Sequence, residues 1–208
     1  MKRIAVLVSG GGTNLQALID AQGMGELGGG QIVAVIASNS GAYALERAKN
    51  AGISGYVLPR KEFSSNRDMT VALVKLLREL KIDLVVLAGC MIIFTQELVD
   101  AYPNAVMNVH PALIPSFCGQ GFYGLHVHEE ALRYGVKLSG ATVHFVSAEC
   151  DAGPIISQKA VAVREDDTPE TLQRRIMEEA EWKLLPEAVR LFCQDKLSVD
   201  GRCVKIKE

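Results

Sequence analysis

Asn108 and His110 stand two residues apart at the end of an apolar run, Ala105 to Val109, with Pro111 directly after them. On a strand, residues two apart leave by the same face, so a carboxamide and an imidazole would share one site. Pro111 cannot continue strand pairing, which predicts that the pair lies at a sheet edge beside a loop. Further on, Asp151-Ala152-Gly153-Pro154 sets a carboxylate in a turn, where it could orient the imidazole. Asn108, His110 and Asp151 together can hold a developing oxyanion and move a proton without a covalent nucleophile.

A second candidate is Ser9-Gly10-Gly11-Gly12-Thr13-Asn14-Leu15, which follows the first apolar run and opens a helical pattern. Glycines let a ligand approach the backbone, and the free amides and dipole of a helix start favour an anion. Thr13 and Asn14 could add side-chain donors. The same residues also suit a plain strand–helix turn capped by Thr13 or Asn14, and the spacing leaves both readings open. The segment has neither the third glycine of the dinucleotide fingerprint nor the lysine of a P-loop, so a phosphate monoester fits better than NAD or ATP.

Other chemistry-bearing residues carry plainer expectations. His126 and His128 form an H-x-H pair, but Glu129-Glu130-Ala131-Leu132 follows, which reads as a helix start. No cysteine stands at ligand spacing, so no metal is expected. His144, between Val143 and Phe145 in an alternating run, reads as structural. Cys118 lies in a glycine- and aromatic-rich loop, Ser116 to Gly124, and reads as an inert loop thiol. Trp182 reads as core packing.

The elements that must position these residues alternate. Ile4 to Val8, Ile32 to Ala37, Leu84 to Ala88 and Ala105 to Val109 are continuous apolar runs, the signature of strands buried on both faces. Tyr43 to Asn50 and Asn66 to Leu80 have helical spacing, the first stopping at Gly52. This alternation predicts an α/β fold: a mostly parallel twisted sheet with helices on both faces. Beyond residue 137, Ala141 to Val146 and Ile155 to Val163 read as strands joined by the Asp151 turn without a helix between them. Thr168-Pro169-Glu170 then caps a long helix towards Phe192, and Leu197 to Ile206 closes as a hairpin turning at Asp200-Gly201. The C-terminal part is thus expected to hold antiparallel strands and a long helix.

A chain of 208 residues with 49% apolar and 22% charged residues suits one well-packed domain. A net charge of −2 offers no sequence-independent attraction to nucleic acid or to an anionic membrane. Lys2-Arg3 lead into a run too short for a signal-peptide core, and no run reaches membrane-spanning length. The cysteines Cys90, Cys118, Cys150, Cys193 and Cys203 show no C-x-x-C spacing, which predicts a reduced, cytoplasmic protein.

Ser9 to Leu15, Leu84 to Gly89 with Met91, Asn108 to Pro115 and Asp151 to Pro154, in this order, resemble the phosphoribosylglycinamide formyltransferases, folate-dependent enzymes of purine biosynthesis. The resemblance runs over nearly the whole chain. It implies a Rossmann-like formyltransferase domain over 1–208, with 1–109 as the nucleotide- and phosphate-binding half and 110–208 as the folate-binding and catalytic half. It implies transfer of a formyl group from 10-formyltetrahydrofolate, a co-substrate, to the amine of glycinamide ribonucleotide, with no metal. Asn108, His110 and Asp151 would be catalytic. Gly12, Thr13 and Asn14 would hold the phosphate, and Glu181, with Glu178 nearby, the glycinamide end. Arg67, Met91, Ile92, Ile93, Phe94, Asn108 and the loop Ser147, Ala148, Glu149, Cys150, Asp151 would contact the folate.

Partners would be these two small molecules, with neither nucleic acid nor membrane, and the protein a monomer or homodimer. The oxyanion would meet a protonated His110, its charge favoured by Asp151. Ala112, Ile92 and Ala152 stand where the family often has Ser, Arg and Gly, and the loop Ser116 to Gly124 is longer than in compact members. Two other functions use the same residues: deformylation, with water in place of the amine, and non-catalytic sensing of a phosphorylated ligand.

Overall fold

Every residue from Ile4 to Val8 is apolar and buried, so this strand has no solvent face. In the computed structural model, which describes residues 1–207, it forms β1 (Lys2–Val8) near the middle of a nine-stranded sheet. Ile4, Val6 and Val8 pack on one face with Leu15 and Leu18 of α1 (Thr13–Gly23) and Leu185 and Val189 of α7 (Trp182–Cys193). Ala5 and Leu7 pack on the other with Leu73 and Leu77 of α3 (Asn66–Glu79) and Leu98 of α4 (Gln96–Ala101). Two cores thus sandwich one sheet, as continuous apolar runs demand.

The parallel half comprises β1, β2 (Gly30–Ala37), β3 (Ser54–Val57), β4 (Leu84–Leu87) and β5 (Val106–His110), with α2 (Ala44–Asn50) between β2 and β3. The lateral order is β3-β2-β1-β4-β5. The chain builds outward from β1 through β2 to β3, then returns to lay β4 on the other side of β1. Loops leaving the C-terminal ends of β1 and β4 therefore diverge, and the crevice between them is where open α/β sheets take ligands. β3 and α4, four and six residues long, are too short to show a period and have no counterpart among the predicted elements.

Beyond α5 (His126–Tyr134), β6 (Leu138–Phe145) pairs antiparallel with β5 on one side and with β7 (Ile155–Ala162) on the other. β9 (Cys203–Ile206) and β8 (Leu197–Asp200) complete the sheet as an antiparallel hairpin. Asn108 and His110 therefore do not lie at a sheet edge. Leu87 pairs with Asn108 on one side, and His144 and Thr142 face Asn108 and His110 on the other. Pro111 ends the strand along its length; it does not make β5 a lateral edge.

The long C-terminal helix is interrupted. Thr168 caps α6 (Pro169–Ile176), its side chain accepting from the Thr171 amide, as the Thr-Pro-Glu start predicts. A π turn over Met177–Glu181 then separates α6 from α7. Pro186, inside α7, has no amide to return to the preceding turn, so one i→i−4 bond is missing there. The wider turn carries Glu181 inward. Among the described residues no helix is long and apolar enough to cross a membrane.

Candidate active site

The antiparallel register of β5 and β6 gathers the first cluster. Asn108 and His110 share a face of β5, and His144 lies opposite Asn108. Asp151 comes from the turn between β6 and β7, and Gly153 presses that turn against the end of β6. A Cβ on Gly153 would stand 1.8 Å from the Phe145 carbonyl oxygen, and the Phe145 amide donates to the Pro154 carbonyl at 2.9 Å. Asp151 itself adopts a left-handed backbone, φ 53°, which Asp tolerates better than most residues. Ala152 does not take a positive φ, so its methyl group is accommodated where the family often has glycine.

Asp151 Oδ2 lies 3.6 Å from His110 Nδ1, and Oδ1 3.6 Å from His144 Nε2. The Gly119 amide donates to Oδ2 at 2.9 Å, and Asn108 Nδ2 stands 3.5 Å from Oδ1 and 3.2 Å from His144 Nε2. Burial works to raise the Asp151 pKa. The neighbouring His144, the charge of His110 and the Gly119 amide outweigh it and hold the carboxyl below its ordinary value. Asp151 is therefore a carboxylate at neutral pH.

His110 departs from the expected charged imidazole. Burial is the largest influence and lowers its pKa below 6.5, with His144 adding to the effect; Asp151 and the Phe117 carbonyl oppose without prevailing. The ring is neutral at pH 7. Its Nε2 is 2.8 Å from the Phe117 carbonyl oxygen, which can only accept, so Nε2 carries the proton. Nδ1 is left unprotonated beside Asp151, ready to accept. His128, fully buried and with no protein partner for either ring nitrogen, is held at about 4 by burial and by His110, and is neutral as well.

The second cluster sits at the C-terminal end of β1. The carbonyls of Ser9, Gly10, Gly11 and Gly12 accept from Asn39 Nδ2, the Ala44 amide, Arg47 Nε and the Gln16 amide. The Gln16 bond to Gly12, 2.9 Å, is the first of α1, which leaves the first-turn amides without intrahelical partners. Gly12, at φ 70°, is the N-cap; no side chain caps the helix, and its first turn holds no acidic residue. Neither Thr13 nor Asn14 is the cap expected of a plain strand–helix turn; Gly12 takes that position. Nor does Asn14 project to solvent: it is buried, and its Nδ2 donates to Glu181 Oε2 at 2.6 Å. The Thr13 hydroxyl faces Met177 Sδ at 3.7 Å, so the free donors at this turn are backbone amides, with Arg47 adding positive charge behind Gly11.

Glu181 is buried, and desolvation pushes its pKa up to about 7 against the Asn14 hydrogen bond. Glu178 is not brought to it; it is exposed and paired with Arg174. The loops after β1 and β4 are tied together, the Met91 amide donating to Ser9 Oγ at 2.9 Å. Along the second loop Met91 and Ile93 are exposed, Ile92 is half-buried and Phe94 packs on the α3 core. Ala148, Glu149 and Cys150 are exposed, and Ser147 Oγ donates to the Glu149 carbonyl. Arg67 is exposed and engaged by Glu97. A separate cavity of about 730 Å³ between α1 and α7 is lined by Thr13, Arg47 and Trp182, but by none of Asn108, His110 or Asp151. Among the described residues no group of three or more His, Cys, Asp or Glu side chains is arranged to hold a metal ion.

His144 is the residue that sequence reasoning missed. The available signal was its place in an alternating run that must pair with the Asn108 strand, but the pairing register is a long-range fact.

Two measurements test this geometry. Gly153→Ala forces the Asp151 turn off the Phe145 carbonyl and should cost more than about 2 kcal/mol of stability, while Ala152→Gly should change it by less than about 1 kcal/mol; equal melting temperatures for wild type and Gly153→Ala would refute the contact. By NMR, His110 should titrate below 6.5, and lower still in Asp151→Asn, because the carboxylate raises its pKa. An upward shift in that variant would overturn the assignment of charges.

A family model described as formyl transferase matches residues 2–189. The phosphoribosylglycinamide formyltransferase of Haemophilus influenzae is 39% identical over 197 residues, 95% of this chain and 90% of the relative. A crystal structure of glycinamide ribonucleotide transformylase 1 from Symbiobacterium toebii superposes with a TM-score of 0.94 at 43% identity, covering 100% of this chain and 95% of that one. A formyltetrahydrofolate deformylase from Pseudomonas syringae shares the fold at 28% identity and a TM-score of 0.87, and this chain covers 66% of it. With its Asn, His and Asp cluster at the end of an interior strand and an uncapped helix start nearby, this chain belongs to the formyl transferase family and is a formyltransferase.

Proposed function

We propose that the enzyme transfers the formyl group of 10-formyltetrahydrofolate to the primary amine of glycinamide ribonucleotide, a step of purine biosynthesis. The observation that carries this reading is the pairing of two sites at the C-terminal ends of parallel strands. The Asn108–His110–Asp151 cluster lies at the C-terminal end of β5, and the uncapped amides of Gly12 to Asn14 at that of β1. β4 alone separates these parallel strands, so a phosphorylated amine anchored at one end can present its nitrogen near the other. A hydrolase acting on the folate alone has no use for the phosphate site.

The chemistry follows from the donors in place. The amine nitrogen bonds to the formyl carbon, and the carbonyl electron pair moves to oxygen. Asn108 Nδ2–H donates to that oxyanion, and the positive charge that builds on the His110 ring stabilises it through space. The amine gives up its proton to the His110–Asp151 pair, where it rests on Nδ1 facing the carboxylate. Collapse breaks the bond to N10 of the folate, which leaves with a proton from the same pair. The starting imidazole is neutral and becomes charged only as the intermediate forms, so Asp151 acts most strongly when that charge appears. Phosphate binding at the α1 start turns binding energy into proximity.

Within this reading 1–109 hold the nucleotide and 110–208 the catalytic groups and most of the folate site. Glu181 meets the glycinamide end, its carboxyl oriented by Asn14. The folate lies along Met91 to Phe94 and Ser147 to Asp151, with Arg67 at its rim. Ile92, in place of an arginine, gives the folate an apolar contact. The enzyme works in the cytoplasm on these two small molecules, as a monomer or homodimer, and the steps written above use no metal.

Following folate absorbance with and without glycinamide ribonucleotide tests the assignment directly. Deformylation requires turnover and formate release without the amine, and a sensor shows binding with no turnover; either result would sink the proposal. Asn108→Ala and His110→Ala should each lower kcat by roughly a hundredfold to a thousandfold with the fold intact. The phosphate turn is tested by two glycines. A Cβ on Gly11 meets nothing within 4 Å, whereas on Gly12 it would lie 2.6 Å from Ala44 Cβ. Gly11→Ala should therefore raise KM for the nucleotide by about tenfold, the loss of about one hydrogen bond to a charged group, without lowering Tm. Gly12→Ala should lower Tm. An unchanged KM in Gly11→Ala would remove the turn from the site.

A further inference from the structure

His144 is 2% exposed and sits directly across from Asn108, yet the chemistry above gives it nothing to do. Its hydrogen-bond partners define one tautomer. Nδ1 lies 2.8 Å from the Phe145 carbonyl oxygen, an acceptor only, so the ring proton resides on Nδ1. In this tautomer Nε2 is a bare lone pair, 3.2 Å from Asn108 Nδ2. The other polar atom near Asn108 Nδ2 is Asp151 Oδ1, at 3.5 Å. Both neighbours demand a donor. Turning the Asn108 carboxamide over would set its oxygen against a lone pair and a carboxylate at once.

We propose that His144 is a positioning residue that fixes the carboxamide of Asn108 with its NH2 group towards the reacting carbonyl. The proposal rests on the formyl-transfer reading and adds the cause of the donor's orientation. One N–H of Asn108 is held by His144 Nε2. The second faces Asp151 at a distance too long for a strong hydrogen bond, so an oxyanion can claim it with little loss. Asp151 alone would not suffice. Its carboxylate is also bound by the Gly119 amide and faces His110, and it must follow the proton as the intermediate forms. The imidazole of His144, anchored through Nδ1 to the strand backbone, keeps the amide aimed while the charge on the other two groups changes.

Two replacements separate this role from simple packing. His144→Gln puts an amide where Nε2 stood, able to accept from Asn108, and gives up the bond to Phe145. His144→Asn keeps a donor at the Nδ1 position and cannot reach Asn108. Positioning through Nε2 predicts that His144→Asn lowers kcat by about tenfold to a hundredfold with both KM values near wild type, the scale expected for a misaimed group. His144→Gln should recover most of that loss. A role confined to packing against Phe145 predicts the reverse order, with kcat following melting temperature, and that result would overturn the proposal.

A second check is made in the Asn108→Ala background, where His144→Asn should lower kcat no further; additive losses would mean that His144 does not act through Asn108. The wild-type tautomer is readable by ¹⁵N NMR of histidine-labelled protein, independently of turnover. A proton on Nδ1 and a bare Nε2 support the assignment, and the opposite tautomer refutes it. Absence of formyl transfer by the wild-type enzyme would instead refute the functional reading, leaving the tautomer and the Asn108 amide orientation to be judged on their own.

Discussion

The antiparallel pairing of β6 with β5 is the constraint on which the site depends. It is the seam where a parallel sheet becomes antiparallel, and its register puts His144 opposite Asn108 and Thr142 opposite His110. A slip of one residue would carry every side chain of β6 to the other face, sending His144 into the core occupied by Val143 and Phe145. The register is pinned from both ends. At one end Thr142 Oγ1 donates to the Ala112 carbonyl and accepts from the Ile114 amide, fastening the segment after His110 to β6. At the other, Gly153 closes onto the Phe145 carbonyl and delivers Asp151. Ala112 lacks the hydroxyl often found there in the family, but its backbone carbonyl does the fastening.

Around that seam lie three buried imidazoles and one largely buried carboxylate, and their charges are arranged to limit the cost of burial. An unpaired buried charge is expensive, so His110 and His128 are driven neutral while Asp151 keeps its charge through the donors around it. The outcome is one resting negative charge beside an imidazole that has room for a proton. A preformed imidazolium–carboxylate pair would already be satisfied and would gain less when an oxyanion appeared. In the proposed reaction a neutral imidazole becomes fully engaged only when the amine releases its proton, which is the differential interaction that would lower the barrier.

The parallel half of the fold and three members of this cluster are legible in the sequence because they are local facts. Continuous apolar runs can only be strands covered on both faces, Asn108 and His110 are two apart on one of them, and Thr168-Pro169 announces a helix start. What the sequence hides is long-range. Pro111 says that a strand ends, but not whether its flanks are paired, so an interior strand reads as an edge. His144 looks like any polar residue in an alternating strand until its partner is known. Burial decides the charge of His110 and a loop residue, Phe117, decides its tautomer, and neither is written in the strand that carries it. Glu181 turns inward where a π turn interrupts a helix whose apolar period looks continuous.

The glycine-rich turn shows how one motif divides opposing demands among neighbours. The proposed phosphate needs open space before the amides, and Gly10 and Gly11 supply it, since nothing lies within 4 Å of where their side chains would be. The helix start needs a left-handed residue pressed against α2, and Gly12 supplies that against Ala44. The carbonyls of the turn are already held by Asn39, Ala44, Arg47 and Gln16, so the amides are the groups left with capacity. A side-chain cap at Gly12 would have satisfied one of those amides and stabilised α1 by roughly 1 kcal/mol. Its absence, together with an acid-free first turn, leaves the positive end of the helix open to the proposed phosphate. The helix gives up local stability here, and packing of Leu15 and Leu18 against β1 and α7 makes that tolerable.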